Sequence, residues 1–151
     1  MIKLLVLDFE GVCTLGAAEL VAASRGAVAR SLADSIRPEC PPIVRAAQTS
    51  GVAVVVLSNE ISATWATSVP FLAEVDHVIA CTDNGILKPD RRAFERVTLM
   101  TGVDAESVLV VDDNADNIHV AASLGMHTIT FDTTAPTDSW ERVGDRLGLV
   151  L

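Results

Sequence analysis

Asp8, Glu10, Ser58, Asn59, Lys88, Asp112 and Asp113 are the residues of this sequence whose types and placement could do chemistry. Asp8-Phe9-Glu10-Gly11 follows the apolar run 4–7, Ser58-Asn59-Glu60 follows 52–57, and Asp112-Asp113-Asn114 follows 108–111. Lys88-Pro89 stands just ahead of an amphipathic stretch. Five carboxylates, one lysine, one hydroxyl and two amides would therefore gather at the ends of apolar runs. Crowded carboxylates repel each other unless a cation joins them. A hard divalent ion with oxygen ligands, Mg²⁺ above all, is the usual answer, often with phosphate completing its shell. Lys88 supplies opposite charge for a phosphoryl oxygen, and an aspartate beside a phosphate so held is set up for covalent aspartyl-phosphate chemistry.

The elements that must position these residues alternate along the chain. Segments 2–7, 52–57, 75–80, 108–111 and 127–131 read as strands. The first, second and fourth are nearly continuous in apolar character, as strands buried on both faces are. Helical patterns fill the intervals. Segment 90–101 starts after Pro89, turns Phe94, Val97 and Met100 toward a core and stops at Gly102. Segment 114–124 puts Ile118, Ala121 and Ala122 on one face and ends at Gly125. Segment 138–147 opens with Asp-x-x-Glu and carries a Trp140, Val143, Leu147 stripe, and 17–32 and 43–49 supply two more helices. Strand–helix alternation predicts a five-stranded parallel sheet with right-handed crossovers in a three-layer α/β/α sandwich. Ligands of such sheets bind beyond the carboxyl ends of the strands. With no internal repeat and no linker, residues 1–151 read as a single domain.

Composition narrows the partners. The 151 residues carry 11 basic and 20 acidic side chains, a net charge of −9, which disfavours a nucleic-acid backbone or an anionic membrane as partner. Cys13, Cys40 and Cys81 form an odd set without CxxC spacing, so neither a disulfide framework nor a structural zinc site is expected. The apolar start is cut off by Asp8 and Glu10, unlike a signal peptide, and no apolar run reaches the roughly 20 residues of a membrane span. A cytoplasmic location is the expectation. His77, His119 and His127 are widely spread and show no metal-ligand spacing.

Taken in order, Asp8-x-Glu10-Gly-Val, Ser58-Asn59, Lys88-Pro89 and Asp112-Asp113-x-x-x-Asn117 resemble the four motifs of the haloacid dehalogenase-like (HAD) superfamily, over nearly the whole chain. The resemblance implies a Rossmann-like fold and a Mg²⁺-dependent phosphohydrolase. Asp8 would be the nucleophile that forms the aspartyl-phosphate, and Glu10 the general acid and base. Ser58, Asn59 and Lys88 would bind the phosphoryl group, with Lys88 also stabilising Asp8. Asp8, the backbone carbonyl of Glu10, Asp112 and Asp113 would hold the metal, with Asn117 supporting them from behind.

Two features depart from the phosphatase pattern. The second acidic residue of the first motif is ordinarily aspartate, and Glu10 adds one methylene, about 1.5 Å of reach. Only 28 residues, 9–36, separate Asp8 from Arg37, whereas an inserted cap domain needs on the order of 50 or more. A minimal-cap member with an open site follows, suited to a large or macromolecular phosphorylated substrate or closed by another subunit of a homo-oligomer. The alternative is a catalytically degenerate HAD-like domain that binds a phosphorylated ligand or a protein partner without turnover. A receiver domain beginning at Asp112-Asp113 is excluded, because 38 residues follow Asp113 where about 100 are required.

Overall fold

In a computed structural model of the chain, the structure describes residues 1–16, 18–20 and 35–149. Its centre is β1 (Leu4–Leu7), paired in parallel with β2 (Ala53–Ser58) on one side and β4 (Val108–Asp112) on the other. The strands β3 (His77–Ala80) and β5 (His127–Thr130) complete a five-stranded parallel sheet of order β3-β2-β1-β4-β5. Leu4 lies opposite both Ala53 and Val108, so the three inner strands start level, and β4 and β2 run one and two residues past the end of β1.

Side chains alternate across the sheet, and both faces are covered. Leu5, Leu7, Val54, Val56, Leu109 and Val111 pack on one side with Val44 and Ala47 of α1 (Cys40–Thr49) and with Trp140 and Val143 of α5 (Pro136–Leu147). The short α2 (Ala63–Ala66) closes the edge of this layer through Ala66. Leu4, Val6, Val55, Leu57, Val108 and Val110 pack on the other side with Phe94 and Val97 of α3 (Arg91–Thr101) and Ala121 of α4 (Ala115–Ser123). The expected three-layer sandwich is therefore present, with no separate cap domain among the described residues. The expected helix 17–32 lies outside them apart from 18–20.

Local differences from the expectation have local reasons. The helix expected over 43–49 begins at Cys40, because Pro41 and Pro42 fall in the first turn, where backbone N–H groups lack helical partners anyway. The helix expected from Asp138 begins at Pro136 for the same reason, and no side chain caps it. Met100 is 48% exposed rather than core, and Ala122 is exposed, because the apolar faces of α3 and α4 are narrower than periodicity implies. All three cysteines are free and buried. No described helix is long and apolar enough to cross a membrane.

Candidate active site

The sheet order reverses beside β1. From β1 the chain passes to β2 and β3 on one side and returns to β4 on the other, leaving a crevice between the carboxyl ends of β1 and β4. Asp8 follows β1 directly, its backbone N–H donating to the Val111 carbonyl at 3.0 Å, and Asp112 ends β4. Both carboxylates are almost wholly buried, and they converge on one cation. Lys88 Nζ lies 2.8 Å from Asp8 Oδ1 and 2.7 Å from Asp112 Oδ2.

Each member is held from behind. Both Asp112 oxygens accept from Asn117 Nδ2 at 3.0 Å, and Oδ1 also accepts from the Asn114 N–H at 2.9 Å. Asn114 caps α4, its Oδ1 accepting from the N–H of Asp116, so this helix begins at the carboxylate it supports. Asn59 grips the Lys88 peptide at both ends. Its Nδ2 donates to the Lys88 carbonyl and its Oδ1 accepts the Lys88 N–H, each at 2.9 Å. The Asn59 amide thereby orients the lysine loop across 29 residues of sequence, where a direct phosphate contact was expected.

After Asp8 the chain makes a tight turn over Phe9–Cys13 in which Gly11 adopts φ +91°. A Cβ at Gly11 would collide with the Asp113 carboxylate, so glycine here gives both the backbone conformation and the space. Sequence reasoning gave no role to the cation beneath this turn. Buried Arg37 donates from Nε and Nη2 to the Gly11 carbonyl at 3.1 and 2.9 Å, and from Nη2 to Glu19 Oε2 at 2.6 Å. Its guanidinium lies over the Phe131 ring, 5.4 Å from the centroid. A lone Arg37-Pro38 was visible in the sequence, but its partner was 26 residues distant.

Asp113 completes the cluster. Asp8, Asp112 and Asp113 each offer a carboxylate oxygen within 4.8 Å of the others. Burial pushes the Asp8 carboxyl well above its ordinary range; Lys88 opposes the rise and Asp112 adds to it. Burial and the Asp112 charge raise Asp113 likewise. Burial works against the Lys88 charge, but Asp8 and Asp112 together carry its pKa above the ordinary lysine value. Three carboxylates against one ammonium leave an excess of two negative charges, and the donors are all hard oxygens. That set fits a divalent cation such as Mg²⁺. A cavity of about 370 Å³ opens above it, lined by Asp8, Glu10, Glu60, Lys88, Asp113 and Asn117 among others. Ser58 is fully buried with its hydroxyl turned to Glu60, which lines the cavity, and Glu10 lines the cavity outside the three-carboxylate cluster. His77 and His119 are exposed, and His127 Nδ1 lies 2.6 Å from Arg146 Nη2, so the three take no part in the site.

A family model described as haloacid dehalogenase-like hydrolase matches residues 14–125. The chain belongs to this family. Phosphatase MT3486 of Mycobacterium tuberculosis is 32% identical to the HAD chain over 119 residues, covering 76% of it. The chain spans about half of that relative's length, 55%. Among solved structures, an uncharacterized protein from Corynebacterium glutamicum shares the HAD fold at TM-score 0.75 and 19% identity, covering 100% of this chain and 98% of that one. A HAD family enzyme from Bacteroides thetaiotaomicron, in complex with magnesium and inorganic phosphate, does so at TM-score 0.64 and 17% identity over 88% of this chain and 96% of that one.

Proposed function

We propose that this HAD-family hydrolase cleaves phosphomonoesters with Mg²⁺ through an aspartyl-phosphate on Asp8. The observation that carries the proposal is Asp8 itself, buried, ion-paired to Lys88 and opening onto a cavity that Asp113 and Glu10 share. The Mycobacterium phosphatase and the magnesium-phosphate complex of the Bacteroides enzyme support it. A cluster of three carboxylates also fits metal-assisted phosphoryl transfer better than halide displacement, for which the excess negative charge has no use.

In this reading Asp8 Oδ attacks phosphorus while Lys88 and the Ser58 hydroxyl hold the phosphoryl oxygens. Glu10 protonates the departing alkoxide, then removes a proton from the water that attacks the aspartyl-phosphate. Phosphate leaves and Asp8 is regenerated. Asp8, Asp113 and the Glu10 carbonyl would hold the cation, with Asp112 joining through water. Bound there, Mg²⁺ supplies charge neutralisation for an anionic substrate approaching an anionic wall. Asn59, Asn117 and Arg37 position the groups that react. The substrate we propose is a phosphorylated molecule of large or macromolecular size, since no cap domain stands among the described residues.

The test is a Mg²⁺-dependent phosphate-release screen over small phosphomonoesters and phosphoproteins, with Asp8→Asn as control. Release that vanishes in Asp8→Asn is expected. Release that persists, with deamidation excluded, would mean direct attack by water and would overturn the covalent route.

A further inference from the structure

Glu60 follows the Ser58-Asn59 pair at the end of β2 and makes a contact that the proposed reaction does not need. The Ser58 hydroxyl donates to Glu60 Oε2 at 2.9 Å and accepts the Glu60 backbone N–H at 3.1 Å. Ser58 is fully buried, whereas Glu60 is exposed and lines the same cavity as Asp8 and Lys88. A serine hydroxyl has one proton. While Glu60 accepts it, the hydroxyl can present only a lone pair to an incoming phosphoryl oxygen, which is repelled rather than bound. The carboxylate also brings a negative charge to the wall that an anionic substrate must approach, and that charge reaches Asp8.

We propose that Glu60 is a specificity-determining residue that competes with substrate phosphate for the Ser58 hydroxyl. The inference rests on the phosphate-binding role given to Ser58 above. Phosphate must displace the Glu60 carboxylate before Ser58 can donate to it. Weakly held phosphoryl groups are then discriminated against, and substrates with additional anchoring contacts outside the cavity are favoured. Glu60 is solvent-exposed, so water can solvate the displaced carboxylate.

The experiment is calorimetric binding of inorganic phosphate at saturating Mg²⁺ to the wild type, Glu60→Ala, Ser58→Ala and the double variant. Removing Glu60 from the wild type should tighten phosphate binding about tenfold, the equivalent of one charge-assisted hydrogen bond. In the Ser58→Ala background the same removal should change affinity by no more than about twofold, because the contested proton is gone. An equal gain in both backgrounds would reduce Glu60 to a repelling charge and overturn the competition, as would no gain in either. If Ser58→Ala does not fold, Ser58→Cys closes the cycle by replacing a strong donor with a weak one. Binding in the wild type without the predicted coupling removes this inference alone. Absence of phosphate binding in both wild type and Glu60→Ala removes the phosphate-site reading and this inference with it. With substrate, relief of the competition lowers KM in Glu60→Ala more than it alters kcat.

Discussion

Asp8 and Glu10 stand two residues apart after β1, in different environments. Asp8 is 6% exposed and tied to Lys88, which suits the nucleophile of the proposed reaction, while Glu10 is half-buried on the cavity wall, which suits its proposed proton carrier. A general acid contributes typically 10²–10⁴-fold, provided that it reaches the atom it protonates. If the cavity is shaped to the longer side chain, Glu10→Asp should lower kcat by about 10²-fold, the usual cost of misplacement by roughly 1 Å. Steady-state phosphate release checks this; a gain in Glu10→Asp would mark Glu10 as a lesion and favour binding without turnover. Gly11 gives a second expectation at this scale. Gly11→Ala would force a Cβ into the Asp113 carboxylate at φ +91°. Such backbone strain costs of order 1–3 kcal/mol, visible as a lower urea midpoint together with weaker Mg²⁺ affinity.

At the scale of elements, the site is assembled by loops whose anchors lie far away in sequence. Arg37 ties the turn after β1 to Glu19 and sits against Phe131 just beyond β5. Arg37→Ala removes two hydrogen bonds to one carbonyl and leaves the Gly11 oxygen without its buried donor. A loss of about 3 kcal/mol is expected in urea unfolding, within the range for charge-assisted bonds and their orphaned partners. Asn59→Ala acts on a different loop. It deletes the amide that holds the Lys88 peptide at both ends, so the lysine is no longer fixed between Asp8 and Asp112. Its expected signature is a fall in kcat of about 10-fold or more with a smaller change in thermal midpoint, because Asn59 supports orientation rather than the core.

For the whole molecule, charge and fold are linked through the cluster between β1 and β4. Mg²⁺ should raise the melting temperature in proportion to the logarithm of its concentration over the dissociation constant, and Asp113→Ala should abolish that rise. An undiminished rise would put the ion elsewhere. The pH dependence has a definite sign. Asp8 and Asp113 have folded-state pKa values above the ordinary 3.8, so above that pH the metal-free folded state binds more protons than the unfolded chain. Stability of the metal-free protein therefore falls as pH rises from 3.8 through the raised values. Saturating Mg²⁺ should flatten this fall by favouring the ionised carboxylates, and urea midpoints with and without the ion, taken from mildly acidic pH to neutrality, measure the difference.

What could be read from the sequence was what depends on neighbours in the chain. A strand buried on both faces must be apolar at every position, so Leu4–Leu7, the valines of β2 and Val108–Val111 were legible as inner parallel strands, and the polar residue ending each was legible as a rim residue. Asp8, Asp112 and Asp113 were found in this way, Lys88 as the cation ahead of α3, and the structure brings the four together. The starts of α1 and α5 were misplaced because prolines at the first turn look like breaks and act as starts. Tertiary structure alone decided which polar group meets which. The Asn59 amide grips the Lys88 peptide, and Arg37 lies under the Gly11 carbonyl. Such pairings depend on loop conformation and on the close approach of residues up to 29 apart in sequence, which no periodicity encodes. Burial is a property of one element at a time and leaves its mark on composition; a hydrogen bond between loops is a property of two, and exists only once the sheet has fixed both ends.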